Sequence, residues 1–384
     1  MPMKEINQLD LFSGIGGFHL GFERAGYKVN SYFSEVDKHA VAVYKHQFKD
    51  STYVGSVTDV RGADLPRIDL ITFGSPCQDF SLAGKRKGME GERSSLITEA
   101  IRLVHECRPR VFIWENVKGT FSSNDGADFW AIIQAFANIG GYRCEWQLCN
   151  TSWFLPQNRE RIYFVGYLTG SRGDWRGVFP LGEDEEVFTG ELGERLWQFQ
   201  KAQSENLHAR TLGQNTDRMT TDSTFIRVHS ATNLGYEEAT YGDTINLSQP
   251  NSKTRRGRVG KGKAQTLETS CNQAVVEPKI IGYTRDAKGK VTDRHLKDTA
   301  GTIHTATGSG GNTDQFVQDY NIRKLTPVEC ERLQGFNDNH TQYGIYDGEV
   351  KEVSNTQRYR QCGNAVTVDV VSAIANKLHP IFEE

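Results

Sequence analysis

The stretch GSPCQDFS, residues 74–81, places Cys77 just after the apolar run IDLITF. A cysteine in this setting can be a packed core thiol, a metal ligand, half of a disulfide or a nucleophile. The flanking residues are polar, and the continuation SLAGKRKGMEGERSS is glycine-rich and basic. A thiol beside basic residues and near the start of a helix ionises more readily and can act as a nucleophile. A buried structural cysteine is the ordinary alternative.

The composition removes two of these four roles. Seven cysteines spread over 384 residues match no disulfide framework and no C-x-x-C metal pair, and the ten histidines do not fall at metal-binding spacings. The net charge of −3 means that any nucleic-acid surface must be a local patch. The N-terminus lacks the apolar region of a secretory signal, and no apolar run reaches the length of a membrane span. We expect a cytoplasmic, reduced, metal-free protein.

The first 170 residues alternate short apolar runs with amphipathic stretches, a pattern that is typical of an α/β fold. Continuous apolar strands between helices predict a Rossmann-like, doubly wound, mostly parallel sheet that is covered on both faces. The predicted strands are INQLDLF, YKVNSYF, IDLITF, RVFIW, RCEWQLCNTSW and RIYFVGYL. The predicted helices between them are FHLGFERAGY, DKHAVAVYKHQF, SLITEAIRLVHEC and DFWAIIQAFANIG.

The sequence changes character near residue 170. From about 175 to 320 it is rich in Thr, Gly, Asn and Arg and poor in long apolar runs. This composition favours a smaller, loop-rich, mainly β domain over a partly disordered insert. Order returns with RKLTPVECERLQGF and a final amphipathic helix, one face of which is lined by Val366, Val370, Ile374 and Leu378. We therefore expect a first domain at 1–174, a second at 175–320, and a return to the first at 321–384.

Four chemically unusual segments follow four predicted strands. FSGIGG follows the first strand, Glu35 the second, Cys77 the run IDLITF and Glu115 the run RVFIW. Ligands of open parallel sheets bind outside the carboxyl ends of the strands, which share one edge. The four segments are therefore predicted to face one crevice.

The glycines and Glu35 indicate a nucleoside-like ligand in this crevice. Gly14, Gly16 and Gly17 allow a tight turn and a close backbone approach to a ligand, although a purely structural turn is an equally good explanation. Glu35 follows about 20 residues later, where a ribose diol is held in such folds. The full dinucleotide fingerprint is missing, which favours a single nucleoside-like cofactor over NAD.

Three charged residues complete the candidate set. Glu115 lies in ENV, and Arg159 and Arg161 lie in PQNRER. Two arginines separated by one residue would point to the same face of a strand and could bind an anion or a carboxylate. A structural ion pair for Glu115 and a surface salt bridge for the arginines are the alternatives.

Taken in order, these segments make the sequence resemble the bacterial and phage DNA cytosine-5 methyltransferase family. The resemblance covers nearly all of the chain outside 175–320 and rests on DLFSGIGGF, SEVDKHA, GSPCQDFS, GERSSL, ENV, PQNRER, RKLTPVECERLQGF and GNAVTVDV. Each motif is modestly specific, whereas the ordered set is very specific. It implies a class I methyltransferase that takes S-adenosyl-L-methionine, releases S-adenosyl-L-homocysteine and methylates cytosine at a specific site in double-stranded DNA.

The reaction of this family requires the residue types singled out above. Cytosine C5 is a poor carbon nucleophile until a thiolate adds to C6, and a carboxylic acid at N3 favours that addition. By resemblance, Cys77 is the nucleophile and Glu115 is the N3 partner. Arg161 would contact the cytosine, and Arg159 would hold the site and the nearby backbone. The base must be flipped out because C6 is hidden in a stacked duplex.

The resemblance also assigns a set of cofactor-binding residues. They are Phe12, Gly14, Gly16, Gly17, Glu35, Val36, Ser56, Val57, Pro76, Leu96, Asn364 and Ala365. Glu35 would hold the ribose, Val36 would lie against adenine, and Asn364 would close the pocket. Ser56 stands where many relatives carry an Asp that contacts the adenine amino group, and Val36 stands where a large aromatic residue is common. We therefore expect a working but looser cofactor pocket.

Two segments are expected to contact DNA. The resemblance implies that the loop 78–95 closes over DNA and that 175–320 is the target-recognition region. The candidate DNA contacts are Gln78, Ser81, Lys85, Arg93, Arg255, Arg256 and Arg258. The last three lie in KTRRGRVGKGK. Taken alone, this segment favours a solvated loop, but within a DNA-binding region it favours phosphate contacts.

The enzyme is expected to act as a monomer on duplex DNA, without a membrane or a metal. This role fits restriction–modification, with a separately encoded endonuclease, or phage self-protection. The competing hypotheses are a tRNA cytosine methyltransferase of the same fold, an amino-methylating DNA enzyme, a DNA-binding regulator that keeps the fold, and a Rossmann oxidoreductase. The tRNA enzymes have a short recognition region. The amino-methylating enzymes carry a Pro-Pro-aromatic loop, which GSPC is not.

Overall fold

The structure, a computed structural model, divides the chain into two compact units. It describes residues 3–74, 96–121, 127–168, 177–181, 226–249, 252, 254–285, 291–297 and 316–383. Unit 1 comprises Met1–Phe188, Glu268–Ser270 and Thr326–Glu384, and unit 2 comprises Thr189–Leu267 and Cys271–Leu325. No helix in these described ranges is long and apolar enough to cross a membrane.

Unit 1 is built on a seven-stranded sheet. Its strands and one short extra strand are β1 (Lys4–Leu11), β2 (Tyr27–Ser34), β3 (Thr52–Tyr53), β4 (Leu70–Phe73), β5 (Val111–Val117), β6 (Tyr142–Asn150), β7 (Gln157–Asn158, outside this sheet) and β8 (Glu160–Leu168). The strand order is β3-β2-β1-β4-β5-β8-β6. The first five pair in parallel, and β8 is antiparallel to both β5 and β6. The prediction of a Rossmann-like, mostly parallel sheet is confirmed.

Helices cover both faces of this sheet. In the first part of the chain they are α1 (Gly17–Arg24), α2 (Lys38–Gln47), α3 (Leu96–Cys107) and α4 (Ala127–Ala137). Buried apolar side chains of the central strands pack with α3 and α4 in one core that includes Ile71, Phe112 and Trp114. Full burial of each such side chain contributes about 1.5–3 kcal/mol. The core therefore fixes the strand ends at which the candidate residues lie.

Unit 2 consists of short antiparallel strands and loops. Its strands are β9 (Ile226–His229), β10 (Tyr236–Ala239), β11 (Thr244–Asn246), β12 (Val259–Gly260), β13 (Ala264–Gln265), β14 (Gln273–Arg285), β15 (Val291–Lys297) and β16 (Phe316–Lys324). β9 and β10 form a hairpin, and the long strand β14 pairs with β11, β15 and β16. A small apolar cluster of Val228, Ala239, Ile245 and Val276 holds this unit together.

The C-terminal segment completes unit 1. It contains α5 (Pro327–Leu333), β17 (Tyr343–Tyr346), β18 (Glu349–Glu352), α6 (Asn355–Asn364), α7 (Val368–Lys377) and α8 (His379–Phe382). Val366, Val370, Ile374 and Leu378 are all buried as predicted, although α7 itself holds only Val370 and Ile374, with Val366 before it and Leu378 after it. α7 packs closely on α1, since a Cβ on Gly21 would lie 2.4 Å from a methyl carbon of Val371.

A buried ion pair organises the same segment. The fully buried Glu331 carboxylate accepts hydrogen bonds from the backbone N–H groups of Asn339 and Thr341, at 2.7 and 2.9 Å. It also accepts one from the Arg358 guanidinium at 3.0 Å. A buried charge that is paired and fully hydrogen-bonded in this way strongly favours one arrangement of its elements. Glu331 and Arg358 thus tie α5 to α6.

His340 connects this segment to the glycine loop that follows β1. The imidazole is buried, lies against the ring of Phe336, and has Nε2 at 2.9 Å from the Ile15 carbonyl oxygen. Burial lowers the pKa of His340 to about 4. The neutral ring therefore donates Nε2–H to the Ile15 carbonyl throughout the neutral pH range.

We predict that His340 makes the stability of the protein fall on acidification. Its pKa is about 4 when folded and about 6.5 when unfolded. The contribution of neutral His340 to the free energy of unfolding is therefore complete above pH 6.5. It is lost as the pH falls from 6.5 through 4. The loss has an upper limit of about 3 kcal/mol. Denaturant unfolding of His340→Gln should show a flatter pH dependence over this window. An unchanged slope would contradict the assignment.

Candidate active site

The loops after β1, β2 and β3 are joined at the carboxyl edge of the sheet. The backbone N–H of Ser13 donates to the Ser34 carbonyl at 3.2 Å, and the Ser34 hydroxyl donates to the Gly55 carbonyl at 2.8 Å. The Tyr53 hydroxyl donates to the Glu35 carbonyl at 2.9 Å. The structure thus brings FSGIGG, Glu35 and the loop near Ser56 together, as expected from the positions of the strands.

The three glycines of FSGIGG meet different structural requirements. Gly14 has a φ of +54°, and a Cβ there would meet nothing within 4 Å. A Cβ on Gly16 would lie 2.2 Å from the Phe48 ring, and a Cβ on Gly17 would lie 2.6 Å from a Val366 methyl carbon. Gly16 and Gly17 therefore serve close packing within unit 1. Gly14 alone of the three presents backbone to open space.

Glu35 retains unused hydrogen-bonding capacity beside Gly14. Its Oε2 accepts the N–H of Gly14 at 2.9 Å, and its Oε1 accepts those of Val36 and Asp37 at 2.8 and 2.9 Å. A carboxylate has about four acceptor positions, so one on Oε2 remains. The buried Ser13 hydroxyl has no hydrogen-bond partner among the described residues. These groups suit a ligand that brings hydroxyls.

The remaining predicted cofactor residues near these loops differ in exposure. The Val36 side chain is 77% exposed and can lie against a ring, whereas Val57 is buried in the core. Phe12 has a left-handed φ of 52° and packs partly against that core. The Ser56 hydroxyl lies 2.9 Å from the Thr58 hydroxyl, so it is already engaged within its own loop.

Three further predicted cofactor residues lie at or next to the ends of helices, and six predicted site residues lie outside the described residues. Leu96 is the first described residue of α3 and is half-buried. Asn364 ends α6 with an exposed side chain, and Ala365 follows it as a buried residue. Pro76 lies outside the described residues. Cys77, Gln78, Ser81, Lys85 and Arg93 also lie outside them.

Glu115 occupies a buried position inside β5 rather than after it. β5 continues to Val117 because β8 pairs with it up to that residue. The Arg161 Nε lies 3.1 Å from Glu115 Oε1. A Cβ on Gly74 would lie 3.2 Å from Glu115 Oε2, so this glycine leaves room for the carboxyl. Glu115 therefore lies beside Gly74. This glycine directly follows β4 and precedes Cys77 by three positions.

The surroundings of Glu115 favour its protonated form. Burial raises its pKa, and the charges of Arg161 and Arg159 offset only part of that effect. A carboxyl with a raised pKa is a better candidate for donating a proton or a hydrogen bond to a bound base than an ordinary glutamate.

Arg159 is a buried cation with a fixed backbone role. It is 2% exposed and donates to the Ala365 carbonyl at 2.8 Å and to the Gly363 carbonyl at 3.3 Å. Burial and the neighbouring charge of Arg161 lower the pKa of Arg159 to about 9. Both arginines act on Glu115, which agrees with the prediction that they share a face. Neither is a surface salt bridge, because Arg159 is buried and the Arg161 side chain is only 15% exposed.

The basic segment of unit 2 is partly engaged within the unit. Arg258 is 3% exposed, and its guanidinium donates to the carbonyls of His229 and Asn246 at 2.7 and 3.0 Å. This burial argues against a phosphate contact for Arg258. Arg256 is exposed and donates to the Ala231 carbonyl at 2.8 Å, while Arg255 is half-buried.

Sequence reasoning missed a polar cluster beneath the glycine loop. Asp10 is fully buried and accepts the Thr72 hydroxyl at 2.8 Å, and the Tyr44 hydroxyl lies 3.4 Å from the same carboxyl. Burial raises the pKa of Asp10 well above its usual range. The available signal was an acidic residue inside the predicted strand INQLDLF. In the described part of the chain, no group of three or more His, Cys, Asp or Glu residues could hold a metal.

Comparison with known families gives a match over nearly the whole chain. The family model described as C-5 cytosine-specific DNA methylase matches residues 6–379. Type II methyltransferase M1.ScrFI of Lactococcus lactis subsp. cremoris is 31% identical over 99% of this chain and 79% of its own length. Type II methyltransferase M.NlaX of Neisseria lactamica is 30% identical over 96% of this chain and 95% of its own. Orphan methyltransferase M.SPRI of Bacillus phage SPR is 29% identical over 98% of both chains.

Solved structures share the fold. A putative DNA modification methyltransferase encoded within an Escherichia coli prophage gives a TM-score of 0.54 at 20% identity, with 99% of this chain and 100% of that chain covered. The S. pombe Dnmt2 methyltransferase gives 0.52 at 16% identity, with 98% and 99% covered. These similarities support the description of unit 1 as a Rossmann-like methyltransferase fold.

We predict that Glu115→Gln changes the pH dependence of stability in a defined direction. The folded pKa of Glu115 lies above its ordinary value of 4.5, so the folded state binds more protons between those two values. Wild-type stability should therefore fall as the pH rises from 4.5 through the folded pKa, by about 1.4 kcal/mol for each unit of pKa difference. Glutamine does not titrate, so the stability of the variant relative to the wild type should rise over that window.

Denaturant unfolding between pH 4 and 8 measures this difference. Glu160→Gln, a neighbouring, more exposed glutamate paired with Lys118, is the matched control. A constant difference between Glu115→Gln and the wild type across the window would show that the folded pKa of Glu115 is not raised.

Proposed function

Because the chain belongs to the C-5 cytosine-specific DNA methylase family, we propose that it is a sequence-specific DNA cytosine-5 methyltransferase. It would transfer the methyl group of S-adenosyl-L-methionine to C5 of a cytosine in duplex DNA and release S-adenosyl-L-homocysteine. The observation that carries this proposal is the buried Glu115 carboxyl, which is paired with Arg161 beside the end of the strand that leads to Cys77.

Glu115 and Cys77 would activate the base together. The Cys77 thiolate adds to C6 of the cytosine while the Glu115 carboxyl donates a proton or hydrogen bond to N3. This addition makes C5 enamine-like and therefore nucleophilic. After transfer to C5, loss of the C5 proton and expulsion of the thiol restore the aromatic ring. The raised pKa of Glu115 supports its role, because an ionised carboxylate could not donate to N3.

The two arginines would have separate roles in this site. Arg161, at 3.1 Å from Glu115, would orient the carboxyl and contact the flipped cytosine. Arg159 would hold the backbone at Gly363 and Ala365, at the start of the segment expected to close the cofactor pocket. Arg159 is therefore a positioning residue. Its burial leaves it no free surface for a substrate contact.

The loops at the carboxyl edge fit a nucleoside cofactor. The remaining acceptor position of Glu35 suits a ribose hydroxyl, and the exposed Val36 side chain suits the face of adenine. Gly14 presents its backbone to open space. When bound there, S-adenosyl-L-methionine would supply the electrophilic methyl group. Phe12, Ser56, Val57, Pro76, Leu96, Asn364 and Ala365 would form the rest of the pocket.

Unit 2 would read the DNA target, and the loop 78–95 would close over the flipped base. Short strands with long polar connections can present many different side chains to base edges. Exposed Arg256 and half-buried Arg255 would contact phosphates. The type II and orphan methyltransferases among its relatives suggest a role in restriction–modification or in phage self-protection. We propose that the enzyme acts as a monomer.

The first test is transfer of a labelled methyl group to duplex DNA of mixed sequence, followed by base analysis and bisulfite sequencing. We expect label in 5-methylcytosine at one short motif. Cys77→Ala should lower the rate by at least about a thousandfold, because the covalent route is lost. Cys144→Ser is the matched control, since burial raises the pKa of that thiol to about 11 and no role is proposed for it.

Three other results would overturn the proposal. Label only in RNA would favour a tRNA methyltransferase, and label in adenine or on a cytosine amino group would favour an amino-methylating enzyme. Tight DNA binding without any transfer would identify a binding protein on this fold.

We predict that Arg255→Gln combined with Arg256→Gln weakens DNA binding mainly through salt dependence. If each arginine neutralises one phosphate, the slope of log K against log salt should decrease in magnitude by about 2. Fluorescence anisotropy with a labelled duplex at several salt concentrations measures the slope. Arg67→Gln, an exposed arginine just before β4, serves as the control. Equal slopes for the double variant and the wild type would assign the segment to a solvated loop.

A further inference from the structure

Arg102 on α3 binds the backbone of the loop that follows β3. Its Nη2 donates to the Val60 carbonyl at 2.8 Å and to the Val57 carbonyl at 3.4 Å. Both acceptors lie in the loop 54–62, which also contains Ser56. The Arg102 guanidinium thus hydrogen-bonds to the backbone of a loop without regular secondary structure. This loop lies between β3 and a short 3₁₀ turn at 62–64.

Two carboxylates fix the guanidinium in this position. Its Nε donates to Glu99 at 2.8 Å, and its Nη1 donates to Glu106 at 2.8 Å. Glu99, Arg102 and Glu106 are three and four residues apart, so they lie on one face of α3. The five N–H groups of an arginine side chain lie in one plane and point in fixed directions. In Arg102, Nε, Nη1 and Nη2 all donate hydrogen bonds at the same time.

Glu106 holds the far end of the same loop. Its second oxygen accepts the backbone N–H of Gly62 at 2.8 Å. A Cβ on Gly62 would lie 2.7 Å from the Cβ of Glu106, so only glycine allows this approach. The helix therefore contacts the loop at Val57, Val60 and Gly62 through two side chains.

The position of this loop depends on outside anchors, because the side chains of Ser56, Thr58 and Asp59 bond to one another within the loop. The Ser56 side chain is short, and its hydroxyl is engaged with Thr58. A turn within the loop, from the Asp59 N–H to the Ser56 carbonyl at 2.9 Å, sets the local shape but does not anchor it to the sheet. The placement of the backbone thus decides where Ser56 and Val57 stand relative to the cofactor crevice.

We propose that Arg102 is a positioning residue that sets the affinity for the adenine end of S-adenosyl-L-methionine by anchoring the loop 54–62. This proposal rests on the proposed function, which includes Ser56 and Val57 in the cofactor pocket, with Ser56 at the position where the resemblance implies a contact to adenine. Arg102 touches neither the cytosine nor Glu115, so its loss should act on cofactor binding and leave the chemical step intact.

The test is calorimetric binding of S-adenosyl-L-homocysteine to the full chain carrying Arg102→Met. We expect the dissociation constant to rise about tenfold, since the loop loses its charge-assisted anchors. In steady-state kinetics the KM for S-adenosyl-L-methionine should rise by a similar factor. The KM for DNA, and kcat at saturating cofactor, should stay within about twofold of the wild type.

Arg108→Met is the matched control. Arg108 also donates to two loop carbonyls, those of Ile139 and Gly140 at 3.1 and 2.9 Å, but it follows α3 at the opposite edge of the sheet. Arg108→Met should lower the thermal stability about as much as Arg102→Met does. It should leave the dissociation constant for S-adenosyl-L-homocysteine unchanged. Arg102→Lys and Glu106→Gln, which weaken the anchor without removing a large side chain, should give smaller increases in the same dissociation constant.

The outcomes separate this proposal from the proposed function. Lower thermal stability of Arg102→Met with unchanged cofactor binding would overturn it and leave only a structural role. If Arg102→Met does not fold, unchanged binding in both milder variants would overturn it as well. A wild-type chain that binds S-adenosyl-L-homocysteine but methylates no DNA would contradict the proposed function, while the binding measurements would still decide the role of Arg102.

Discussion

The buried guanidinium of Arg159 is the interaction on which the candidate site depends. It joins the segment before β8 to carbonyls of Gly363 and Ala365, about 200 positions later in the chain. A buried cation is costly without hydrogen-bond acceptors, and these two carbonyls are the acceptors of Nη1 and Nη2, while Nε has none among the described residues. The C-terminal helices are thereby locked to the same strand that carries Arg161. The Thr151 and Thr367 hydroxyls, 2.8 Å apart, add a second link between the segment before β8 and the start of α7.

The fixed position of Arg159 also affects the balance of charges around Glu115. One carboxyl is enclosed with two arginines, of which only Arg161 pairs with it directly. Arg159 donates its hydrogen bonds to the backbone, so it acts on Glu115 only through its charge. That charge offsets only part of the effect of burial on the pKa of Glu115. The carboxyl therefore keeps a raised pKa although two cations are near. A second direct ion pair would have favoured the ionised form of the carboxyl more strongly.

The sequence could predict which strands and loops form the site, because apolar runs and their end points are local signals. It placed Glu35, Glu115 and the glycines at one edge, and the structure agrees. It could not separate Gly14 from Gly16 and Gly17, since the difference lies in contacts with Phe48 and Val366. It also treated Arg258 as a surface cation. Burial of that side chain depends on carbonyls of β9 and β11, which no pattern within KTRRGRVGKGK reveals.

The same limit explains why the anchoring roles of His340 and Arg102 were missed, whereas the backbone role of Arg159 was implied by the resemblance. His340, Arg159 and Arg102 each donate to backbone carbonyls of a loop at the carboxyl edge: Ile15, Ala365 and Val60. A carbonyl acceptor leaves no trace in the sequence, because every residue has one. Anchoring through carbonyls has a physical advantage, since it fixes the loop while side chains such as Val36 stay available to a ligand. A loop held in this way can keep its position when its side chains are replaced.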